Sequence, residues 1–191
     1  MPSFPAAVET DRLVLRRYTA ADADRVLAIH SLLEVIRWLG NPPFVPMADL
    51  DEARRWVEGV NVREADDPRQ AWRAVVVRET GLLAGTVLVS RLERRDVGFV
   101  GEYELGWHLH PDSGGHGYAT EAAREHARSA FGVGHERLVV GMYPDNLPSL
   151  RVAQRLGADD LGEVEDDPWY GGVSRHLELR PEHLDAGRPP V

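Results

Sequence analysis

Leu13, Leu15 and Tyr18, interleaved with Val14 and Arg16, predict a first strand, and Thr19-Ala-Ala-Asp22 supplies cap residues for a helix carrying Val26, Leu27, Ile29 and His30. Gly40-Asn41-Pro42-Pro43 then breaks the chain, and residues 49–63 read as a second helix with Ala53, Trp56, Val57 and Val60 on one face. From residue 71 the period shortens. Residues 71–77, 83–92 and 100–109 are three consecutive strand-like runs, the first two joined by a Glu79-Thr-Gly81 turn, so an antiparallel meander is expected. Residues 118–131 return to helical spacing, 138–142 to a strand and 149–156 to a helix, and 161–164 with 174–179 predict a closing hairpin. The order β-α-α-β-β-β-α-β-α-β-β defines an α+β domain: a mixed, mostly antiparallel sheet of about seven strands, about four helices and one β-α-β crossover. Residues 1–191 read as one domain with its core in 10–180, and the ends 1–8 and 181–191, the latter rich in proline, are expected to fray.

Composition narrows the chemistry. The chain has 22 basic residues, all arginine, against 31 acidic ones, for a formal net charge of −9, and 43% of it is apolar. With no cysteine, disulfides, zinc-thiolate sites, iron–sulfur clusters and a cysteine nucleophile are excluded. No apolar run approaches a membrane span and the start lacks a signal-like pattern, so no membrane partner and a cytoplasmic location are expected. An acidic chain repels phosphate backbones, which sets nucleic acid aside and favours cationic partners. His108 and His110 lie two apart with no third ligand indicated, so no metal is expected.

The stretch from Glu104 to Ala122 carries the most information. A strand ends near His110, glycines 114, 115 and 117 follow, and a helix begins near Tyr118. Such a turn can aim several backbone N–H groups at one point and add the positive end of the helix dipole, which suits a phosphate or pyrophosphate; without a ligand it is a tight strand-to-helix connection. It matches neither G-x-G-x-x-G followed by an acidic residue nor the P-loop, whose lysine this chain lacks.

Gly114-Gly-His-Gly117-Tyr-Ala119 resembles the acetyl-CoA loop Q/R-x-x-G-x-G/A of the GCN5-related N-acetyltransferase (GNAT) family, with glycine in place of Gln or Arg at its first position. Thr10-Asp-Arg-Leu-Val-Leu-Arg16, Glu104-Leu-Gly-Trp-His-Leu109 and Asn146-Leu-Pro-Ser149-Leu-Arg-Val-Ala-Gln-Arg-Leu-Gly157 are similar to the ribosomal-protein N-acetyltransferase branch, and the four motifs stand in family order.

The resemblance implies direct acetyl transfer from acetyl-CoA to a primary amine, a peptide N-terminus or a small molecule, without a metal, by a monomer or homodimer. Glu104 falls where this branch often carries the general base. Strand alternation puts Glu102, Glu104, Gly106, His108 and His110 on one face, making His108 a second candidate base. The tyrosine that protonates the thiolate in many relatives is replaced by Ala153. Ser149 falls near where the thioester sulfur would lie, with a helix N-cap as its alternative role, and Tyr143 is a further proton-donor candidate. Leu109 and His110 are expected to pair with the pantetheine amides, Asn146 to bond the pantetheine arm, and Gly115, Gly117, Tyr118, Ala119 and Thr120 to surround the pyrophosphate. Arg151 or Arg124 would meet the 3′-phosphate. The acidic run at 159, 160, 163 and 165–167 would attract a protonated amine if it borders the cleft, and Trp38, Phe44, Trp56, Trp169 and Tyr170 are candidates for an acceptor pocket. The competing reading is an acetyl-CoA-binding sensor or a catalytically silent relative.

Overall fold

The computed structural model describes residues 2–40, 42–94, 98–167 and 170–185. Eight strands form one sheet: β1 (Ala7–Glu9), β2 (Leu13–Arg16), β3 (Ala71–Val77), β4 (Leu83–Arg94), β5 (Gly98–Leu109), β6 (Leu138–Met142), β7 (Asp159–Asp167) and β8 (Gly172–Leu179), in spatial order β1-β2-β3-β4-β5-β6-β8-β7. The helices are α1 (Ala23–His30), α2 (Leu33–Ile36), α3 (Leu50–Asp66), α4 (Tyr118–Gly132), α5 (Leu147–Leu156) and α6 (Pro181–Asp185), with two short 3-10 turns at Ala20–Asp22 and Pro111–Ser113. The strand beyond the expected seven is β1, which with helix α6 comes from the ends expected to fray, and α2 is a further short helix. Phe4 is 4% exposed within the core, β1 pairs with β2, and Leu184 of α6 is buried.

The meander predicted for β3, β4 and β5 forms with antiparallel register Trp72↔Leu88 and Leu88↔Gly106. Every residue of β3 is buried, because helices cover both faces of the sheet at its centre. One layer packs α4 and α5 over Leu15, Val75, Val87 and Leu105, and the other packs α1 and α3 over Trp72, Ala74 and Val76. Both faces are therefore largely apolar at β3, which explains its hydrophobic run, interrupted only by Arg73.

The α4 crossover makes β5 and β6 parallel, yet they share only the Glu104↔Val139 pair. Beyond Glu104 the two strands separate and a cleft opens. Its volume is about 1280 Å³, and it is lined from Glu104 to Thr120 on one side and from Val140 to Arg155 on the other.

The acidic run does not meet the condition that it border the cleft. It forms edge strand β7, separated from the cleft strands by β8, and none of its residues lines the cleft. Asp160 pairs with Arg175 and Asp159 with His183. A charged edge of this kind discourages pairing with another chain, and Asp167 at its end turns inward, accepting from Ser174 Oγ at 2.7 Å.

Candidate active site

The strand pleat puts Glu104, Gly106 and His108 on the α1/α3 face of β5, and Glu104 and His108 diverge in their surroundings. Ser90 on β4 donates through Oγ to Glu104 Oε1 at 3.2 Å. Burial pushes the Glu104 carboxyl up to about 7; the Asp167 carboxylate adds to that and the Ser90 hydrogen bond opposes it. A carboxyl in this range can take a proton at neutral pH and return it to solvent.

His108 is committed within the protein. Its Nε2 lies 3.0 Å from His30 Nε2 and 2.9 Å from Thr86 Oγ1, and Tyr18 Oη reaches the same Thr86 hydroxyl at 2.8 Å. Burial, and secondly the neighbouring His30, hold its pKa well below the usual imidazole value, and burial lowers His30 to about 4. The pair is neutral and fastens α1 to the sheet. Sequence reading could not find His30, since no local pattern marks a contact 78 residues away.

At the end of β5, His110 spends its N–H on the Ala84 carbonyl at 2.8 Å, and its own carbonyl accepts from Ser113 N–H at 2.9 Å. Alternate residues of an antiparallel strand face the same neighbour, so the amide groups of Leu109 point to the open edge left by β6. This narrows the added-strand expectation to Leu109: both backbone groups of His110 already have partners.

The glycine loop turns through left-handed backbone at Gly115 (φ +78°) and Gly117 (φ +79°), conformations open to glycine at little cost. Gly117 is the N-cap of α4, so the N–H groups of Tyr118, Ala119 and Thr120 have no intrahelical acceptor and carry the positive end of the dipole. Gly114, the departure from the family pattern, closes the preceding 3-10 turn by donating to the Pro111 carbonyl at 3.0 Å.

Glu121 in the first turn of α4 would oppose an anion there, and the Thr10-Asp-Arg12 segment offsets it. Thr10 Oγ1 donates to Glu121 Oε1 at 2.6 Å, and Arg12 donates through N to Oε1 at 3.0 Å and through Nε to Oε2 at 2.7 Å. Arg12 Nη1 also donates to the His116 carbonyl at 2.8 Å, and its guanidinium lies 5.2 Å from the Tyr118 ring centre. Arg12 thus neutralises Glu121 and fixes the loop's shape, a role not visible in the motif that contains it. Arg12→Ala is expected to weaken coenzyme A binding about tenfold or more, the worth of charge-assisted hydrogen bonds. Calorimetry should find the loss confined to ligands that carry the pyrophosphate, with pantetheine as the control; an equal loss for pantetheine would mean general unfolding instead.

Across the cleft, Asn146 is the N-cap of α5: its Oδ1 accepts from Ser149 N–H at 3.2 Å. The cap is therefore Asn146 and not Ser149, which occupies the third helical position. Among the described residues the buried Asn146 Nδ2 has no protein acceptor, and the Ser149 hydroxyl, which lines the cleft, makes no hydrogen bond. An orphaned buried amide donor, an open strand edge and an anion-binding helix end along one cleft suit a molecule with carbonyls and a pyrophosphate, as the pantetheine and diphosphate of coenzyme A have. Arg151 borders the cleft, as does Arg155, whereas Arg124 turns to the Arg155 carbonyl at 2.7 Å. Tyr143 gives its hydroxyl to the Gly40 carbonyl at 2.7 Å and packs against Phe44 and Tyr170. Trp38, Trp56 and Tyr170 line the cleft, Phe44 does not, and Trp169 lies outside the described residues.

The sheet split at β5 and β6, with its glycine loop at a helix start, is that of an acetyltransferase, and the chain belongs to the GNAT family: residues 12–159 match the family's acetyltransferase domain. It is an acyltransferase. An uncharacterised N-acetyltransferase from Bacillus licheniformis, p20, is 25% identical over 158 residues, covering 82% of this chain and 84% of that protein. A ribosomal-protein-serine acetyltransferase structure from Vibrio cholerae, assigned provisionally, shares the fold with TM-score 0.72 at 21% identity, covering 95% and 99% of the two chains. RimJ from Mycobacterium smegmatis, solved with CoA-disulfide, aligns with TM-score 0.72 at 18% identity over 95% of this chain and 86% of that one.

Proposed function

We propose that this protein transfers the acetyl group of acetyl-CoA to a primary amine, of a peptide N-terminus or a small molecule, within a ternary complex. The observation that carries this reading is the Glu104 carboxyl, raised to about 7, at the point where β5 and β6 part. Acetyl-CoA, when bound, supplies an acetyl thioester whose C–S bond breaks as the new C–N bond forms. Leu109 and Asn146 hold the pantetheine arm; the N–H groups of Gly115, Gly117, Tyr118, Ala119 and Thr120 hold the pyrophosphate, with Arg151 beside the 3′-phosphate. Glu104 takes the proton that the amine nitrogen sheds. The Ser149 hydroxyl donates to the leaving sulfur and regains its proton from solvent; the bound ammonium sheds two protons, the first to Glu104 and the second as the C–N bond forms, so one thiol forms and one proton is released to solvent per turnover.

Among the described residues no helix is long and apolar enough to cross a membrane, and no cluster of metal-ligating side chains occurs. We also take the enzyme to be cytoplasmic, to work without a metal and to act as a monomer or homodimer, as the family resemblance implies. Calorimetric titration with acetyl-CoA, followed by free-thiol release against amines in the same sample, tests it. Binding with thiol release supports transfer, binding without release on any amine supports a sensor, and no binding removes both.

A further inference from the structure

The α1/α3 side of the cleft, away from the glycine loop, has a distinct chemistry. Its walls are His30, Trp38, Trp56, Trp72 and Leu88 around Glu104. His30 packs on Trp56 with ring centres 4.8 Å apart and is held neutral by burial. The Arg63 guanidinium from α3 stands at the rim, 5.6 Å from the Trp72 ring centre, and among the described residues no carboxylate pairs with it. Among the described residues the carboxylates that line the cleft are Glu104 and, on the exposed turn of α2, Glu34. The acidic run that would draw a polycation lies on edge strand β7, and its last residue, Asp167, is buried against Ser174 and His176.

We infer that the acceptor is an amine borne on an aromatic body that also carries an anionic group: the indole walls take the ring, Glu104 faces the amine, and Arg63 meets the carboxylate or phosphate. The protein's overall negative charge suggests the opposite preference, but specificity follows the groups a ligand touches. Flat indole faces favour a planar ring, and a guanidinium forms two parallel hydrogen bonds to a carboxylate or phosphate. Polyamines and aminoglycosides would bring several ammonium groups to a pocket with two carboxylates, one of them largely protonated below neutrality.

This inference rests on the acetyl-transfer reading, and a binding measurement separates their fates. The full chain, saturated with coenzyme A, is titrated calorimetrically with phenylalanyl-alanine, its C-terminal amide, the phosphate ester of tyramine, and spermidine. Expected is about tenfold or tighter binding of an anionic ligand over the amide, with spermidine weakest; the carboxylate and phosphate arms show which anion fits. In Arg63→Gln the acid-to-amide ratio should fall close to one, and Arg63→Lys should keep part of it. Equal binding of acid and amide, an unchanged ratio in Arg63→Gln, or tightest binding of spermidine would each overturn the inference. Preserved preference in this titration, with no thiol released when the same amines are offered with acetyl-CoA in a separate assay, would sink acetyl transfer and leave the pocket's chemistry standing.

Discussion

Glu104→Gln is expected to lower kcat about 10²–10³-fold at pH 7 while leaving the KM for acetyl-CoA near its original value. The amide keeps the shape and can still accept from Ser90, but it cannot take the amine's proton. In the unaltered enzyme kcat/KM should rise with pH through about 7 as the carboxyl ionises. The variant should lack that limb and recover only as the free amine becomes abundant at alkaline pH. A stability readout separates this role from mere packing. A carboxyl with its folded pKa raised favours folding below its ordinary value of 4.5, and that contribution is lost as pH climbs to about 7. At pH 8 the original protein holds an unfavourable buried charge that the variant lacks, so Glu104→Gln should melt higher at pH 8 and equally at pH 4. Full activity at pH 7 in the variant would remove Glu104 as the base.

The second large effect concerns stability alone. Arg73 is 2% exposed in the centre of the sheet, donating through Nη1 to Glu64 Oε2 at 2.7 Å and through Nη2 to Glu64 Oε1 at 3.0 Å and the Pro5 carbonyl at 2.9 Å. Arg17 reaches the same Glu64 oxygen at 2.6 Å. Burial alone would push the Glu64 carboxyl up, but the two guanidiniums outweigh it and hold it below the usual carboxylate range. Glu64→Ala strands a buried cation and should cost about 3–5 kcal/mol in urea unfolding at pH 7, whereas Glu64→Leu combined with Arg73→Met should regain most of that. A loss below about 1 kcal/mol in the single variant would show that the pair is solvated through fluctuation.

The parts of the fold legible in the sequence are those governed by local period. The β3–β5 meander and the helices α3, α4 and α5 follow from alternation or helical spacing, with ends shifted by a few residues. β7 was underestimated because an acidic edge strand has no apolar face to betray its length. The N-terminal strand was missed because three residues carry too little pattern, and Phe4 finds its partners far along the chain. At the site, the glycine loop, Glu104, Asn146 and Ser149 stood out through their motif, and the cleft brings them together. The Arg12–Glu121 clamp spans 109 residues, and the indole walls join the turn after α2, helix α3 and strand β3, so each exists only once the chain has folded.

The single bridge between β5 and β6 has a thermodynamic consequence. Strands β1 to β5 and the trio β6, β8 and β7 are two half-sheets joined there by one residue pair, so a ligand laid along Leu109 and Asn146 acts as a missing strand between them. Free energy of binding then adds to that of folding: at a ligand concentration 100 times Kd the gain is about 2.7 kcal/mol. Resistance to unfolding and proteolysis would therefore rise and fall with the supply of acetyl donor, coupling the lifetime of the protein to the metabolic state in which its reaction can run.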